Sequence, residues 1–153
     1  MIDLTIVYPI DFLDEVRVTL GLTSDDLYDD EIMSLSLAGA AELDLISLVP
    51  NVKSILEANN TEQVVIMQLT LAMINLVAYY AYPTLKTKLL LTESDNKTFG
   101  TRFKDALSRD RNEFKAAAMR SLDIIGITPA TSDYDRISIS TPDIDIITGN
   151  EYT

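Results

Sequence analysis

Two clusters of ionisable side chains hold whatever chemistry this chain can perform. The first is acidic: Asp25, Asp26, Asp29, Asp30 and Glu31. Carboxylates at this density can chelate a divalent cation, but a calcium loop needs acids at alternate positions, a Gly at its turn and a more distant Glu. That order is missing here. Acids also collect at helix starts, where they cap amide groups and meet the positive end of the helix dipole, and this is the role expected of them. With neither His nor Cys, a nucleophile would have to be Ser beside Lys, or a carboxylate pair. No GxSxG, phosphate-binding Gly loop or HExxH occurs, and sequence alone places no two carboxylates at glycosidase spacing. Tyr79, Tyr80 and Tyr82 read as packing residues. No catalytic residue, cofactor or metal site is expected.

The second cluster is basic. Residues 97–120 contain Lys97, Arg102, Lys104, Arg109, Arg111, Lys115 and Arg120 against Asp105, Asp110 and Glu113, a net +4 in a chain whose total is −12. Residues 1–62 carry 13 acids and two bases, and residues 121–153 six acids and one base. Such acidity excludes nucleic-acid binding over the whole surface, because phosphates need positive faces. Three readings of the basic run remain open. It is a solvated helix face with i,i+4 pairs such as Asp105 with Arg109. It is one pole of a subunit dipole whose other pole, on the next copy, is acidic; head-to-tail contacts of that kind close into rings. Or it binds nucleic acid, which the lack of interleaved aromatic residues disfavours.

The element that has to position these clusters is the stretch Thr61–Tyr82, within an uncharged run from Gln63 to Leu85. Thr61 as cap and Glu62 in the first turn open a helix. Pro83 disfavours the α region for Tyr82, which predicts the helix end there. Gln68, Ala72, Asn75, Tyr79 and Tyr82 form a polar stripe opposite a broad apolar face of Val65, Ile66, Leu69, Met73, Leu76 and Val77. This pattern suits a helix enclosed by other helices, although its length would also span a bilayer and Lys86 and Lys88 would flank it.

Around it, Asp11 caps a helix Phe12–Leu20 with Phe12, Leu13, Val16 and Leu20 on one side, closed by Gly21. Asp29 or Asp30 caps a helix from about Glu31 to Leu48. Its predicted inner face is Ile32, Leu35, Ala38 or Gly39, Glu42 or Leu43, and Ile46. The small residues Gly39, Ala40 and Ala41 allow another helix to approach. Pro50 ends this element, and a short turn is expected at Val52–Ala58. Residues 84–91 continue as a further helical piece or a strand, and Glu93–Gly100 is a loop. A last helix, about Thr101–Ile125, carries Phe103, Leu107, Phe114, Ala118, Leu122 and Ile125 at helical spacing and is closed by Gly126 before Pro129.

The two ends read differently. Residues 2–8 are β-branched and extended. Beyond Thr128 the chain is rich in Ser, Thr, Asp and Pro, yet Ile137 and Ile139 alternate, as do Ile144 and Ile146. That is an extended, partly apolar arm able to pair with the N-terminal strand or with a neighbouring subunit. A length of 153 residues suits one domain with a real core. The division expected is a helical bundle over 1–127 and an arm over 128–153. The first ten residues lack a basic n-region, so no secretory leader is expected, and the absence of Cys fits a reducing compartment. The predicted fold is all-α: a small bundle around one long apolar helix with extended terminal segments.

The run LGLTSDDLYDDEIMSLSLAGAAELDL followed by TEQVVIMQLTLAMINLVAYY resembles the small head–tail connector (adaptor or head-completion) proteins of tailed bacteriophages. Those proteins open with a Leu-x-Leu and a group of Asp before a helix, then a long apolar helix beginning near Thr-Glu. The similarity covers about residues 19–82. It departs from the family pattern after the central helix, where TKLLLTESDNKTFG replaces a Tyr or Arg signature. The resemblance implies a structural virion protein that forms a ring, typically of twelve copies, between the portal protein and a tail or stopper protein. Such a ring continues the DNA channel, its arms reach neighbours, and it assembles in the host cytoplasm without a membrane. An acidic conduit lets DNA slide without adhering. Arg102, Arg109 and Arg111 are then expected to face a neighbour's acidic surface, and Ile137, Ile139, Ile144 and Ile146 to form the arm. The alternative is a small acidic regulator that mimics DNA charge, monomeric or dimeric, with a basic protein partner.

Overall fold

Apolar residues at helical spacing build the whole described core. The computed structural model describes residues 11–58, 61–92 and 104–127, with side chains of the central helix as far as residue 88. Among them every regular element is helical: α1 (Phe12–Leu20), α2 (Asp29–Ile32), a π-helical turn (Leu35–Gly39), α3 (Ala40–Leu48), α4 (Val52–Glu57), α5 (Gln63–Thr92) and α6 (Arg111–Ile124). The fold is a helical bundle around α5, as predicted. The N-terminal segment, the 93–100 loop, Arg102 and the arm with Ile137, Ile139, Ile144 and Ile146 lie outside the described residues.

α5 is central because it is apolar on nearly all sides. Leu69, Ala72, Met73, Ile74, Leu76, Val77, Ala78, Ala81 and Leu85 are buried. It packs most extensively against α6, then against α3 and α1. α6 runs antiparallel to it, since Leu107 meets Tyr82 and Arg111 meets Tyr79. Phe12, Val16 and Leu20 of α1 and Phe114, Ala118 and Leu122 of α6 are buried on the predicted stripes. Each of these side chains but Ala118 contributes roughly 1.5–3 kcal/mol by leaving water. By length and composition residues 63–88 would also cross a membrane; in this fold three helices pack against them.

Four expectations are corrected. The central helix does not stop at Tyr82 but continues through Pro83 to Thr92, so residues 84–91 belong to it. The predicted Glu31–Leu48 helix is broken: Tyr28, not Asp29 or Asp30, occupies the N-cap of a one-turn α2, and Ser34 is extended (φ −67°, ψ 158°) before the π-helical turn. That break resets the helical phase. Leu37, Ala38, Ala41 and Leu45 therefore face inward, while Leu35, Leu43 and Ile46 are 74, 54 and 40% exposed. The atoms nearest to a Cβ on Gly39 would be those of Leu35 in its own turn. The third correction concerns residues 101–125. A helical turn at 104–106 gives way to a bend, and α6 starts afresh behind Asp110, whose carboxylate accepts from the Asn112 amide at 2.9 Å. Ser108 and Asp110 favour these local side-chain bonds over continued helix; Ser108 donates to the Asp105 carbonyl at 2.6 Å. Fourth, the Thr61 hydroxyl donates to the Ile55 carbonyl, tying the start of α5 to α4 instead of capping α5. Likewise Asp11 sits at the N-cap of α1 without a side-chain capping bond.

The helix ends at Gly21 and Gly126 are as expected, and they share one geometry. Both glycines have φ near 70°. Gly21 N–H donates to Val18 O and Leu22 N–H to Arg17 O; Gly126 N–H donates to Asp123 O and Ile127 N–H to Leu122 O. These are paired Schellman ends, in which the left-handed residue lets two amides close the last open carbonyls. Nothing lies within 4 Å of a Cβ at either position, so an added side chain would be resisted by backbone conformation alone. Gly21→Ala and Gly126→Ala should each lower stability by about 1–2 kcal/mol in urea unfolding; an unchanged midpoint would contradict a conformational role.

Candidate functional site

The acidic loop between α1 and α2 is wired to two cations that the sequence reading did not single out for it. Asp26, 1% exposed, folds the loop onto itself: its Oδ2 accepts from the Thr23 amide at 2.9 Å and the Thr23 hydroxyl at 2.8 Å. Arg17, 5% exposed, donates from Nε to the Leu27 carbonyl at 2.9 Å and from Nη1 to Asp14 at 3.0 Å, and its Nη2 pairs with Asp29. Burial works against the Arg17 charge, and the bonds to Asp29 and Asp14 outweigh it, so its pKa is raised. On the other side Lys88 of α5 donates to Glu31 at 2.7 Å and to the Asp26 carbonyl at 2.9 Å. Glu31 also accepts from the Tyr28 amide at 2.9 Å, half of a capping box. Asp29, Asp30 and Glu31 thus stand in the first turn of α2, as expected, whereas Asp26 folds the loop before it; Asp29 and Glu31 in addition fasten this region to α1 and α5. Among the described residues no group of acids is arranged to hold a metal ion. The signal for Arg17 was present: a base on the apolar stripe of α1, in a region with one other base.

Two residues of the basic cluster, Arg111 and Lys115, lie against Tyr79, four residues before Pro83. A proline inside a helix has no N–H to give to the carbonyl four residues earlier, here that of Tyr79. Arg111 Nε donates to that same carbonyl at 3.1 Å. Its guanidinium lies 3.9 Å from the Tyr79 ring centroid, and Lys115 Nζ lies 5.5 Å from it. The neighbouring phenols act as struts. Tyr82 donates to the Leu107 carbonyl at 3.0 Å and Tyr80 to Asp44 at 3.3 Å. Burial and the Asp44 charge raise the Tyr80 pKa and keep it a donor. The packing role expected of the three tyrosines is thus carried by hydrogen bonds and ring contacts. Asn75, on the same stripe, bonds back to the Leu71 carbonyl of its own helix.

Arg109 is exposed, and its Nη1 donates to the Thr19 carbonyl at 3.3 Å, in the last turn of α1. That is a favourable place for a cation, because the last carbonyls of a helix lack amide partners. Arg109 and Arg111, expected at a neighbour's acidic face, therefore each bond to a carbonyl of their own chain, while Arg102 lies outside the described residues.

A further surface was not legible as such. Val64, Met67, Leu71, Ile74, Ala78, Ala81 and Leu85 follow one line along α5 at steps of three and four. The last four are buried, whereas Leu71, Met67 and Val64 are 40, 53 and 52% exposed. The apolar line thus runs out of the bundle and into solvent.

The proline reading has a direct test in a double-mutant cycle. Arg111→Ala should cost about 1–3 kcal/mol in the natural chain. It should cost clearly less beside Pro83→Ala, which restores an amide donor for Tyr79; equal losses in both backgrounds would refute the repair. The acidic loop gives a second test. Burial opposes the Glu31 charge, but Lys88 and the Tyr28 amide prevail and its pKa falls below the ordinary 4.5. Its contribution is complete above that value and is lost as pH falls through the lower, folded one. Between about pH 6 and pH 3 the natural chain should lose more stability than Glu31→Gln, and parallel unfolding midpoints would argue against the pair.

Comparison with known proteins adds no relative: no family model matches the chain, and no curated protein or solved structure is similar to it.

Proposed function

We propose that the chain is a structural subunit that assembles into a ring, a head–tail connector joining a capsid portal to a tail and continuing the DNA channel. The observation that carries this reading is the bare apolar line Val64–Met67–Leu71 on the longest helix of the bundle. Contiguous exposed apolar surface on a central element marks a protein contact. Leu43 and Ile46 of α3, also exposed, add to the apolar surface offered. The division of charge supports head-to-tail association, with 13 acids among residues 1–62 and seven bases among residues 97–120. A net charge of −12 suits a conduit to which DNA does not adhere. Packing of α5 by α1, α3 and α6 favours a role outside the membrane.

Native mass measurement tests the reading: a closed ring of about twelve copies is expected, and removal of residues 133–153 should weaken assembly while leaving the helical circular-dichroism signal of the bundle. One or two copies at all concentrations, with salt-sensitive binding to a basic protein, would replace the connector with an acidic regulator.

A further inference from the structure

We infer that the segment from Ser34 to Leu48 is a two-position switch, which turns about its own axis and exchanges one apolar face against α5 for another. The inference does not depend on the assembly reading. The same residues carry two faces. In the observed position Leu37, Ala38, Ala41 and Leu45 are buried, and Leu35, Leu43 and Ile46 are exposed. Yet Ile32, Leu35, Gly39, Leu43 and Ile46 succeed one another at steps of three, four, four and three. A helix running unbroken from the buried Ile32 turns that second set inward. The two faces lie roughly a third of a turn apart. Each offers two Leu, joined by Ala38 and Ala41 in the first and by Ile46 in the second, so the gain from leaving water is similar for both.

The swivel is the stretch between α2 and α3. α2 is held by buried Ile32 and by the 2.7 Å bond from Lys88 to Glu31. Beyond it Ser34 is extended, and its carbonyl accepts from the Leu37 and Gly39 amides at 3.2 and 3.1 Å. The π-helical turn follows at once; such turns are rare inside helices and concentrate at functional sites. A cleft of about 330 Å³ lies beside it, lined by Asp30, Glu31, Ser34, Ser36, Leu37 and Thr84, and gives these side chains room to move. Gly39, Ala40 and Ala41 are small, so little bulk has to clear α5 as the helix turns. The Tyr80–Asp44 bond that ties α3 to α5 is long, at 3.3 Å. Glu42 is half-buried and comes closer to the core in the second position, which makes that position the minor one in the free chain. A partner that binds the face exposed in either position draws the segment towards it.

The chain has no Cys, so single cysteines report the position through their rate of thiol labelling. In otherwise natural full-length chains, Leu43→Cys should react about tenfold or more faster than Leu45→Cys. Glu42→Leu removes the charge that opposes the second position and leaves every buried side chain of the first in place. In that background Leu43→Cys should slow and Leu45→Cys should quicken, each roughly threefold or more. Leu45→Gln spoils the first face and should slow Leu43→Cys by about tenfold, with the helical circular-dichroism signal kept. Unchanged rates at both cysteines in the Glu42→Leu chain would overturn the switch, whatever Leu45→Gln does to stability. Slowing at Leu43→Cys without quickening at Leu45→Cys would mean local cover by the new Leu and would overturn it too.

Discussion

The bundle depends on α5 remaining one helix through Pro83. A chain break at Tyr82 would end the central rod one turn into its most crowded part. Ala81 and Leu85, both fully buried on either side of the proline, would then lose their common face. The helix survives because the carbonyl orphaned by the proline is met from outside, by Arg111 of α6. This part-buried carbonyl would otherwise lack its intrahelical partner, and the guanidinium that meets it also contacts the Tyr79 ring. The same bond fixes where α6 begins on α5.

A common device runs through the charged residues. Arg17, Lys88, Arg109 and Arg111 each donate to a main-chain carbonyl, of Leu27, Asp26, Thr19 and Tyr79 respectively. Loops, helix ends and a proline leave carbonyls without amide partners, and in this acidic chain the scarce cations are spent on them. Two of the seven bases of residues 97–120, Arg109 and Arg111, are among these donors. Apart from the charged groups, α5 carries an apolar line whose one end is core and whose other end, Val64–Met67–Leu71, is exposed.

The sequence by itself determined the class and most of the frame: an uncharged run long enough for a central helix, apolar stripes on α1 and α6, and two glycines where only a left-handed residue closes the helix. These features are local, because hydrophobic periodicity and capping are decided within about a turn of the residue concerned. Only the tertiary structure decided that Pro83 lies within a helix, that the phase of α3 restarts after Ser34, and that Arg111 serves Tyr79. The partners there stand 32 residues apart, beyond the range of any propensity. Local preference named Pro83 as a stop, and a distant donor overrode it by supplying the one bond the proline had removed.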